Sequence, residues 1–347
     1  MLIALALVTV ACLSMPSLGS FAMTKVLFAI TGTSFALIKV SVYATIGLVT
    51  PDKKEHASFM NFIESFFMIG ILSGYFIFSA FVKEGAAPDE WLSVYYILAG
   101  ISALAFVLLL VAPLDESSVK HDDSKSFIDD FKQMLSIAIK PLVLVFIISA
   151  FTYVLIEQSI MSWLPTFNNK VLQLPAALSI QIASILAAST ALGRFAAGVV
   201  LRKIQWYFVL LCCLALAAVL VLVALPLAKS AEGQTITGWG DAPAGAFIFP
   251  LIGFLLAPIY PAINSLILSS LPKPQHAPMS GLIVIFSALG GTTGSIITGN
   301  IFEAYGGQTA FYFSLVPIGV LLIALTFFNR LQKKSDAPVS IHTSAGH

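Results

Sequence analysis

Four charged residues fall inside long apolar runs of the sequence, where a charge is costly. They are Lys39, Glu64, Glu157 and Arg194. A charged side chain in the hydrocarbon of a bilayer costs several kcal/mol, so such residues usually face a cavity or an oppositely charged partner. They are therefore candidates for binding a solute or carrying a proton. Because no histidine lies in any apolar run, the candidate proton carriers are the two glutamates.

Lys39 and Glu64 have matching depths on two consecutive predicted helices. Each lies ten or eleven residues from the loop that joins those helices, which places both about 15–17 Å from that end at about 1.5 Å per residue. We predict an ion pair between them. The pair could be purely structural, or it could lie on a solute or proton pathway. Tyr43 and Asn61, three or four residues away on the same two helices, are expected to share this polar face.

Glu157 lies in the outer half of the apolar run 140–165. The one basic residue expected at a matching depth is Lys39, on a different helix. Tyr153 and Gln158 lie close to Glu157 on the same helix. We predict that Glu157 handles a solute or a proton, and a hydrogen bond between helices is the alternative role.

The run 245–270 contains Pro258 and Pro261 near its centre. Proline removes a backbone donor and bends a helix. The carbonyl groups that lose their donors are tolerated in a membrane only against protein or a wet cavity. Tyr260 and Asn264 are placed to line such a cavity. The alternative is a packing kink with buried hydrogen bonds.

The composition identifies the fold class as an all-α integral membrane protein. Of the 347 residues, 58% are hydrophobic and 10% are charged, whereas soluble domains carry about 25% charged residues. A helix needs about 20 apolar residues to cross a bilayer. Since the apolar runs are long and lack the alternation of barrel strands, they predict about ten transmembrane helices. The runs are 2–20, 25–49, 57–82, 91–112, 140–165, 176–201, 206–228, 245–270, 279–302 and 309–329.

Several function classes are excluded. The net charge of +1 leaves no basic excess to bind nucleic acid. The three cysteines lie in apolar runs without disulfide or metal spacing, so we expect no cofactor. The chain lacks H-E-x-x-H and G-x-S-x-G motifs, which argues against an enzyme. The glycines of the segment 290–294 resemble a phosphate loop, but the lysine of that motif is missing and we interpret them as helix packing residues.

The distribution of lysine and arginine predicts the orientation in the membrane. If residue 1 is cytoplasmic, twelve of the 18 basic residues fall in inside loops and four in outside loops, the other two being Lys39 and Arg194 within runs. Basic residues favour the cytoplasmic side, so both termini are predicted to be cytoplasmic.

The same pattern predicts the division of the chain. Four spans occupy residues 1–112, a cytoplasmic linker 113–139, six spans 140–330 and a cytoplasmic tail 331–347. The linker carries apolar residues at helical spacing, which indicates an amphipathic helix on the membrane surface. These residues are Phe127, Phe131, Met134 and Leu135.

One segment combines small residues with basic ones at the end of the run 176–201. It is Gly193-Arg194-Phe-Ala-Ala-Gly198, followed by Arg202-Lys203. It resembles the signature between helices eight and nine of the major facilitator superfamily. Further segments resemble the fucose/glucose–proton symporter-like branch of that superfamily: Asn61–Gly70, Tyr153–Trp163 and Tyr260–Ser265.

The resemblance implies that the ten runs are helices three to twelve of a twelve-helix fold, with helices one and two absent. It places Lys39 on helix four, Glu157 and Gln158 on helix seven and Asn264 on helix ten, which line the cavity of that superfamily. Arg194 with its neighbours Gly193, Gly198 and Arg202 would act in gating and in contacts between the halves.

The function implied by the resemblance is secondary transport of a small polar solute, either a sugar or an organic anion, by alternating access and coupled to protons. We expect a monomer in the lipid bilayer of a bacterial inner membrane. Lys39 stands where the sugar–proton symporters carry a glutamate, which favours an anionic solute unless Glu64 neutralises it. The alternative function is a non-transporting sensor, or an incomplete relic, that keeps the fold.

Overall fold

The computed structural model describes residues 1–49, 53–82, 89–112, 127–201, 203–228, 236, 238–271 and 275–335. Within these ranges the regular structure is helical and contains no strand. Eight helical stretches are long and apolar enough to cross a membrane, and two shorter apolar helices cover Leu2–Leu18 and Phe66–Phe81. Each of the ten stretches overlaps one of the ten predicted runs, with ends that differ by up to ten residues. The all-α membrane fold is therefore confirmed.

The helices are numbered in chain order. They are α1 (Leu2–Leu18), α2 (Phe21–Val49), α3 (Lys53–Phe81), α4 (Val94–Val111), α5 (Phe127–Ala138), α6 (Pro141–Lys170), α7 (Ala176–Val200), α8 (Trp206–Ala228), α9 (Ala244–Ile248), α10 (Ile252–Leu256), α11 (Ile259–Ser269), α12 (His276–Tyr305), α13 (Gly307–Tyr312) and α14 (Leu315–Ser335).

The chain forms two compact units. The first comprises Met1–Asp122 with Pro175–Ser184, and the second comprises Asp123–Leu174 with Ile185–His347. In the first unit α1 packs against α2 and α4. The hydroxyl of Thr9 donates a 2.9 Å hydrogen bond to Ser102 across α1 and α4, so a polar contact between two apolar helices is satisfied internally.

The second unit is built around α6, which packs against α12, α14 and α11. Helix α5 covers the segment where the amphipathic helix is predicted, and its Met134 contacts Gly281 at the start of α12. The side chains of Phe127 and Phe131 lie outside the described residues. The predicted domain boundaries, including the linker 113–139, stay a prediction.

Helices α6 and α12 approach each other along a row of glycines. A Cβ atom added to Gly290 would strike the carbonyl oxygen of Phe151, and one added to Gly294 would strike that of Leu155. The indole of Trp163 covers Gly299, lying 2.5 Å from where a Cβ would stand. Small residues let two helix backbones come close. The interpretation of Gly290 and Gly294 as helix packing residues is confirmed.

The predicted interruption of the eighth span is also confirmed. The span consists of α9, a 3-10 turn at Phe249–Leu251, α10 and α11. Pro250 and Pro258 lie at the two breaks, whereas Pro261 lies within the first turn of α11. A proline is tolerated there because the first turn of a helix needs no backbone donor. The prediction that Pro261 disrupts the helix is therefore wrong.

Candidate functional site

The polar centre of the second unit is built on Glu157. Tyr153 and Glu157 lie one turn apart on α6, and the Tyr153 hydroxyl donates a 2.9 Å hydrogen bond to Glu157 Oε1. Arg194 on α7 brings Nη2 to 3.7 Å from the same oxygen. The side chains of Arg194 and Glu157 are 27% and 19% exposed, whereas Tyr153 is fully buried. The carboxylate is thus compensated by a cation and a hydroxyl.

This arrangement corrects the expectation for Glu157. The prediction that Lys39 is the one basic residue near its depth is wrong, since Arg194 forms the ion pair. Helices α6 and α7 are joined by the five-residue loop 171–175, and consecutive helices with so short a connection are antiparallel. Side chains lean towards the N-terminus of their own helix. The Arg194 and Glu157 side chains therefore point towards each other along the helix axes. A depth estimated from Cα positions does not include this side-chain direction.

Tyr260 extends the polar centre to two further helices. Its ring, on α11, stacks on Tyr153 with the centroids 5.5 Å apart and the planes at 21°. Its hydroxyl lies 3.0 Å from the hydroxyl of Ser287 on α12. We refer to Tyr153, Glu157, Arg194, Tyr260 and Ser287 as the polar network.

Ser287 is a member of the polar network that the sequence pattern does not predict. A serine in an apolar helix is common and bonds to its own backbone without any further partner. Its type and spacing therefore carry no signal. Only the fold, which brings α12 against α11, identifies it as part of the polar network.

A small cavity opens beside Glu157. Its wall includes Met161 on α6, Leu186 and Thr190 on α7 and Gly253 on α10. A Cβ atom on Gly253 would lie 2.6 Å from the Thr190 hydroxyl oxygen, so glycine is needed for α10 to pack directly on α7. The cavity has a charged group on one side and a mostly apolar wall, and its free volume of about 10 Å³ is about that of one water molecule.

Two more contacts hold α7 against the interrupted span. The Ser189 hydroxyl donates a 2.8 Å hydrogen bond to the carbonyl oxygen of Pro250. Gly193 packs on the carbonyl oxygen of Phe254, the group whose usual helical donor would be residue 258, a proline without an N–H. Gly193 thus packs closely on α10, and its predicted role in gating stays a prediction.

The remaining predicted residues of the second unit lie in different surroundings. Asn264 is one turn after Tyr260 on α11, and its Oδ1 atom is buried without a hydrogen-bond donor among the described residues. Gln158 points towards α12, where its Cγ atom lies 3.0 Å from the position of a Cβ on Gly291. Gly198 lies within α7, but its burial is not among the described features, and Arg202 lies outside the described residues, so the gating role of both stays a prediction.

In the first unit, Lys39 lies on α2 with its ammonium 5.7 Å from the ring centre of Phe35. A cation over an aromatic face is stabilised by the ring electrons. The side chains of Tyr43, Asn61 and Glu64 lie outside the described residues. The Lys39–Glu64 ion pair therefore stays a prediction.

Metal binding has no support in the part of the chain that the structure describes. No three histidine, cysteine, aspartate or glutamate residues come together there in a group that could hold a metal ion.

The sequence profile of the Major Facilitator Superfamily matches residues 1–273. The chain belongs to this superfamily. It is accordingly a multi-pass membrane protein of a family of small-solute transporters, and the resemblance of its motifs to the superfamily is confirmed. No curated protein sequence matches the chain.

Solved structures of several transporters share the fold. The transporter FucP in the outward conformation is 16% identical, with a TM-score of 0.61, and the match covers 94% of this chain and 82% of that one. A point mutant of the nucleoside transporter NupG is 15% identical, with a TM-score of 0.69 and the same coverage. A bacterial homolog of the human lysosomal transporter Spinster, inward-facing and unoccupied, is 15% identical, with a TM-score of 0.66 and coverage of 96% and 82%.

Proposed function

We propose that this protein is a secondary active transporter that moves a small polar solute, a sugar or an organic anion, by alternating access and with coupling to protons. The observation that carries the proposal is the ion pair between Glu157 and Arg194, 3.7 Å apart beside a cavity. Transporters of this kind bind their solute near the middle of the membrane and expose the site to each side in turn.

Glu157 supplies the proposed proton site. Its carboxylate is partly exposed beside the cavity and is held by Arg194 and Tyr153. When the cavity faces a more acidic compartment, the carboxylate takes up a proton and its attraction for Arg194 falls. When the cavity faces the other side, the proton leaves and the ion pair forms again. A gradient of protons can in this way drive a solute that binds to one of the two states.

The proposed setting is a bacterial inner membrane, with the protein present as a monomer and both termini in the cytoplasm. The threefold excess of basic residues in the loops assigned to the cytoplasm supports this orientation.

The test uses the full chain in proteoliposomes with a pH-sensitive dye inside. Individual sugars and organic anions are added outside, and acidification of the lumen reports proton-coupled uptake. An active solute is then followed with an isotope label, with and without an imposed proton gradient. We expect Glu157→Gln to abolish uphill accumulation but to keep solute exchange, because glutamine preserves the shape but cannot titrate.

Glu303→Gln is the matched control, since Glu303 is an exposed glutamate near the end of α12 and outside the polar network. It should accumulate solute like the unmodified chain. Undiminished accumulation by Glu157→Gln would remove Glu157 as the proton carrier.

A further inference from the structure

The polar network bears on which class of solute is carried. Its one permanent charge is the Arg194 guanidinium, which stays protonated in proteins and matches a carboxylate with a planar fork of donors. We infer that the solute is a hydroxylated organic anion whose carboxylate replaces Glu157 as the partner of Arg194. This inference rests on the proposed transport function and specifies its substrate.

The geometry of the ion pair favours an exchange of partners. Nη2 of Arg194 and Oε1 of Glu157 are 3.7 Å apart, about 1 Å longer than a charge-assisted hydrogen bond. The same Oε1 accepts a 2.9 Å hydrogen bond from Tyr153. Tyr153 can therefore keep Glu157 in place when a second carboxylate binds the guanidinium, and both side chains of the pair reach solvent in part.

Charge balance decides between an anion and a sugar. When Glu157 takes a proton from water, its negative charge is lost and the Arg194 charge remains in a mostly buried site. The loss of an anionic partner by a charge in such a site is unfavourable. A carboxylate from the solute restores the balance, whereas a neutral sugar does not. The proton on Glu157 and the anion on Arg194 thus strengthen each other's binding, and each must do so to the same extent.

The titratable and charged groups around Glu157 are consistent with this exchange. Tyr153 and Arg194 contact Glu157 directly, and Tyr260 is linked to it through the ring stack on Tyr153. On the helices that pack against α6, the described charged side chains are exposed and lie towards helix ends or on the surface helix α5. These are Lys132, Glu303, Arg330 and Lys333.

A second observation indicates a hydroxyl group on the solute. Asn264 lies four residues after Tyr260, hence on the same face of α11, and that face reaches α6 through the Tyr153–Tyr260 stack. Its Oδ1 atom is buried without a hydrogen-bond donor among the described residues. Buried acceptors are normally satisfied. A solute hydroxyl would supply such a donor, so a hydroxy acid offers one group to Arg194 and another to Asn264.

The first experiment measures thermal unfolding of the purified full chain with four hydroxy acids and their uncharged relatives. The pairs are gluconate with glucose, galacturonate with galactose, glycerate with glycerol, and lactate with 1,2-propanediol. The acids stay ionised at both test conditions, about pH 5.5 and pH 8. We expect at least one acid to raise the unfolding temperature, with about tenfold tighter binding at the lower pH, and its neutral relative to have no effect. Absence of any such acid effect overturns the inference.

Variants identify the groups that respond. Arg194→Gln should weaken binding of the active acid at least tenfold, whereas Arg330→Gln, at an exposed site near the end of α14, should not change it. Glu157→Gln should bind the acid equally well at both pH values. Asn264→Leu should weaken the acid severalfold. Should Arg194→Gln fail to fold, the double substitution Glu157→Gln and Arg194→Gln leaves no uncompensated charge and should fold without binding the acid.

The outcomes separate this inference from the proposed function. If a sugar raises the unfolding temperature and drives proton uptake in proteoliposomes while Arg194→Gln retains its binding, the anion inference is wrong and proton-coupled transport stands. If no acid and no sugar binds, and none drives proton uptake, then both the anion inference and the proposed transport function are wrong.

Discussion

At the scale of single residues, the site depends on a charge that is compensated rather than removed. Arg194 and Glu157 keep most of their side-chain surface away from solvent. A buried pair contributes little stability as a pair, but loss of one partner is costly because the other charge remains. A large cost of removing one partner, beside a small cost of removing both, therefore distinguishes two interacting charges from two that only lie close together.

The pair should therefore show strong energetic coupling. We expect Arg194→Gln to lower the free energy of unfolding by about 2 kcal/mol, below the full value for a buried pair because both side chains are partly exposed. The Glu157→Gln and Arg194→Gln double variant should recover at least about 1 kcal/mol of this loss. Thermal unfolding of the four proteins measures the cycle. Strictly additive losses would mean that the two groups do not interact.

The hydrogen bond from Tyr153 to Glu157 can be removed without disturbing the ring stack. We expect Tyr153→Phe to lower the free energy of unfolding by about 2 kcal/mol, since the acceptor is charged. Tyr207→Phe is the control, because it removes a 3.1 Å contact with the neutral hydroxyl of Thr326 and should cost about 1 kcal/mol. Both are measured by thermal unfolding. An equal loss in the two variants would indicate that Glu157 is not charged in the resting protein.

Much of this site was predicted from the sequence, which singled out polar and charged residues that are costly to bury. Three of them, Tyr153, Glu157 and Tyr260, lie together in the polar network. The ion pair between Glu157 and Arg194 was not predicted. The depth estimate uses Cα positions, and it ignores the length and direction of the arginine side chain. Ser287 could not be predicted, because a single serine in an apolar helix forms no sequence pattern that indicates a functional role.

At the scale of helices, the glycine row fixes α6 and α12 to each other. The backbone oxygens of Phe151 and Leu155 occupy the space where Gly290 and Gly294 would carry a Cβ. Backbone atoms cannot move aside as a flexible side chain would. The two helices that carry Glu157 and Ser287 thus have one tightly defined separation.

Substitution of one glycine in this row should be damaging. We expect Gly294→Ala to lower the free energy of unfolding by about 1–3 kcal/mol through overpacking. Gly319→Ala is the matched control on α14, where a Cβ meets nothing within 4 Å, and it should be neutral or slightly stabilising because alanine favours helices. Thermal unfolding and the yield of folded protein measure both. A neutral Gly294→Ala would show that α6 and α12 can separate freely.

Helix length and position were largely predictable, because bilayer thickness imposes about 20 apolar residues per span. Details within the eighth span were not. Both breaks contain a proline, but the helix begins again so close to Pro261 that this residue needs no donor. The effect of a proline depends on its distance from the start of a helix, which apolarity alone does not reveal.

At the scale of the whole molecule, the proposed orientation follows from charge and can be tested on described residues. In a variant without Cys12, Cys212 and Cys213, a single cysteine is introduced at Lys203 or at Tyr305, both of which are exposed. We expect a membrane-impermeant maleimide added to whole cells to label the Tyr305→Cys variant and not the Lys203→Cys variant. Permeabilised cells, in which both should react, are the control. The reverse pattern would invert the topology.

The indole of Trp163 provides a spectroscopic consequence of the glycine row. It covers Gly299 on α12, donates a 2.9 Å hydrogen bond to the carbonyl oxygen of Ser295 and stacks on Phe302 at 5.5 Å. A chain whose other three tryptophans are replaced by phenylalanine would therefore emit from this one position. If α6 and α12 stay together, its emission wavelength and its quenching by acrylamide should not change when solute is added. The fluorescence of Trp163 would then serve as an internal reference for measuring motions elsewhere in the protein.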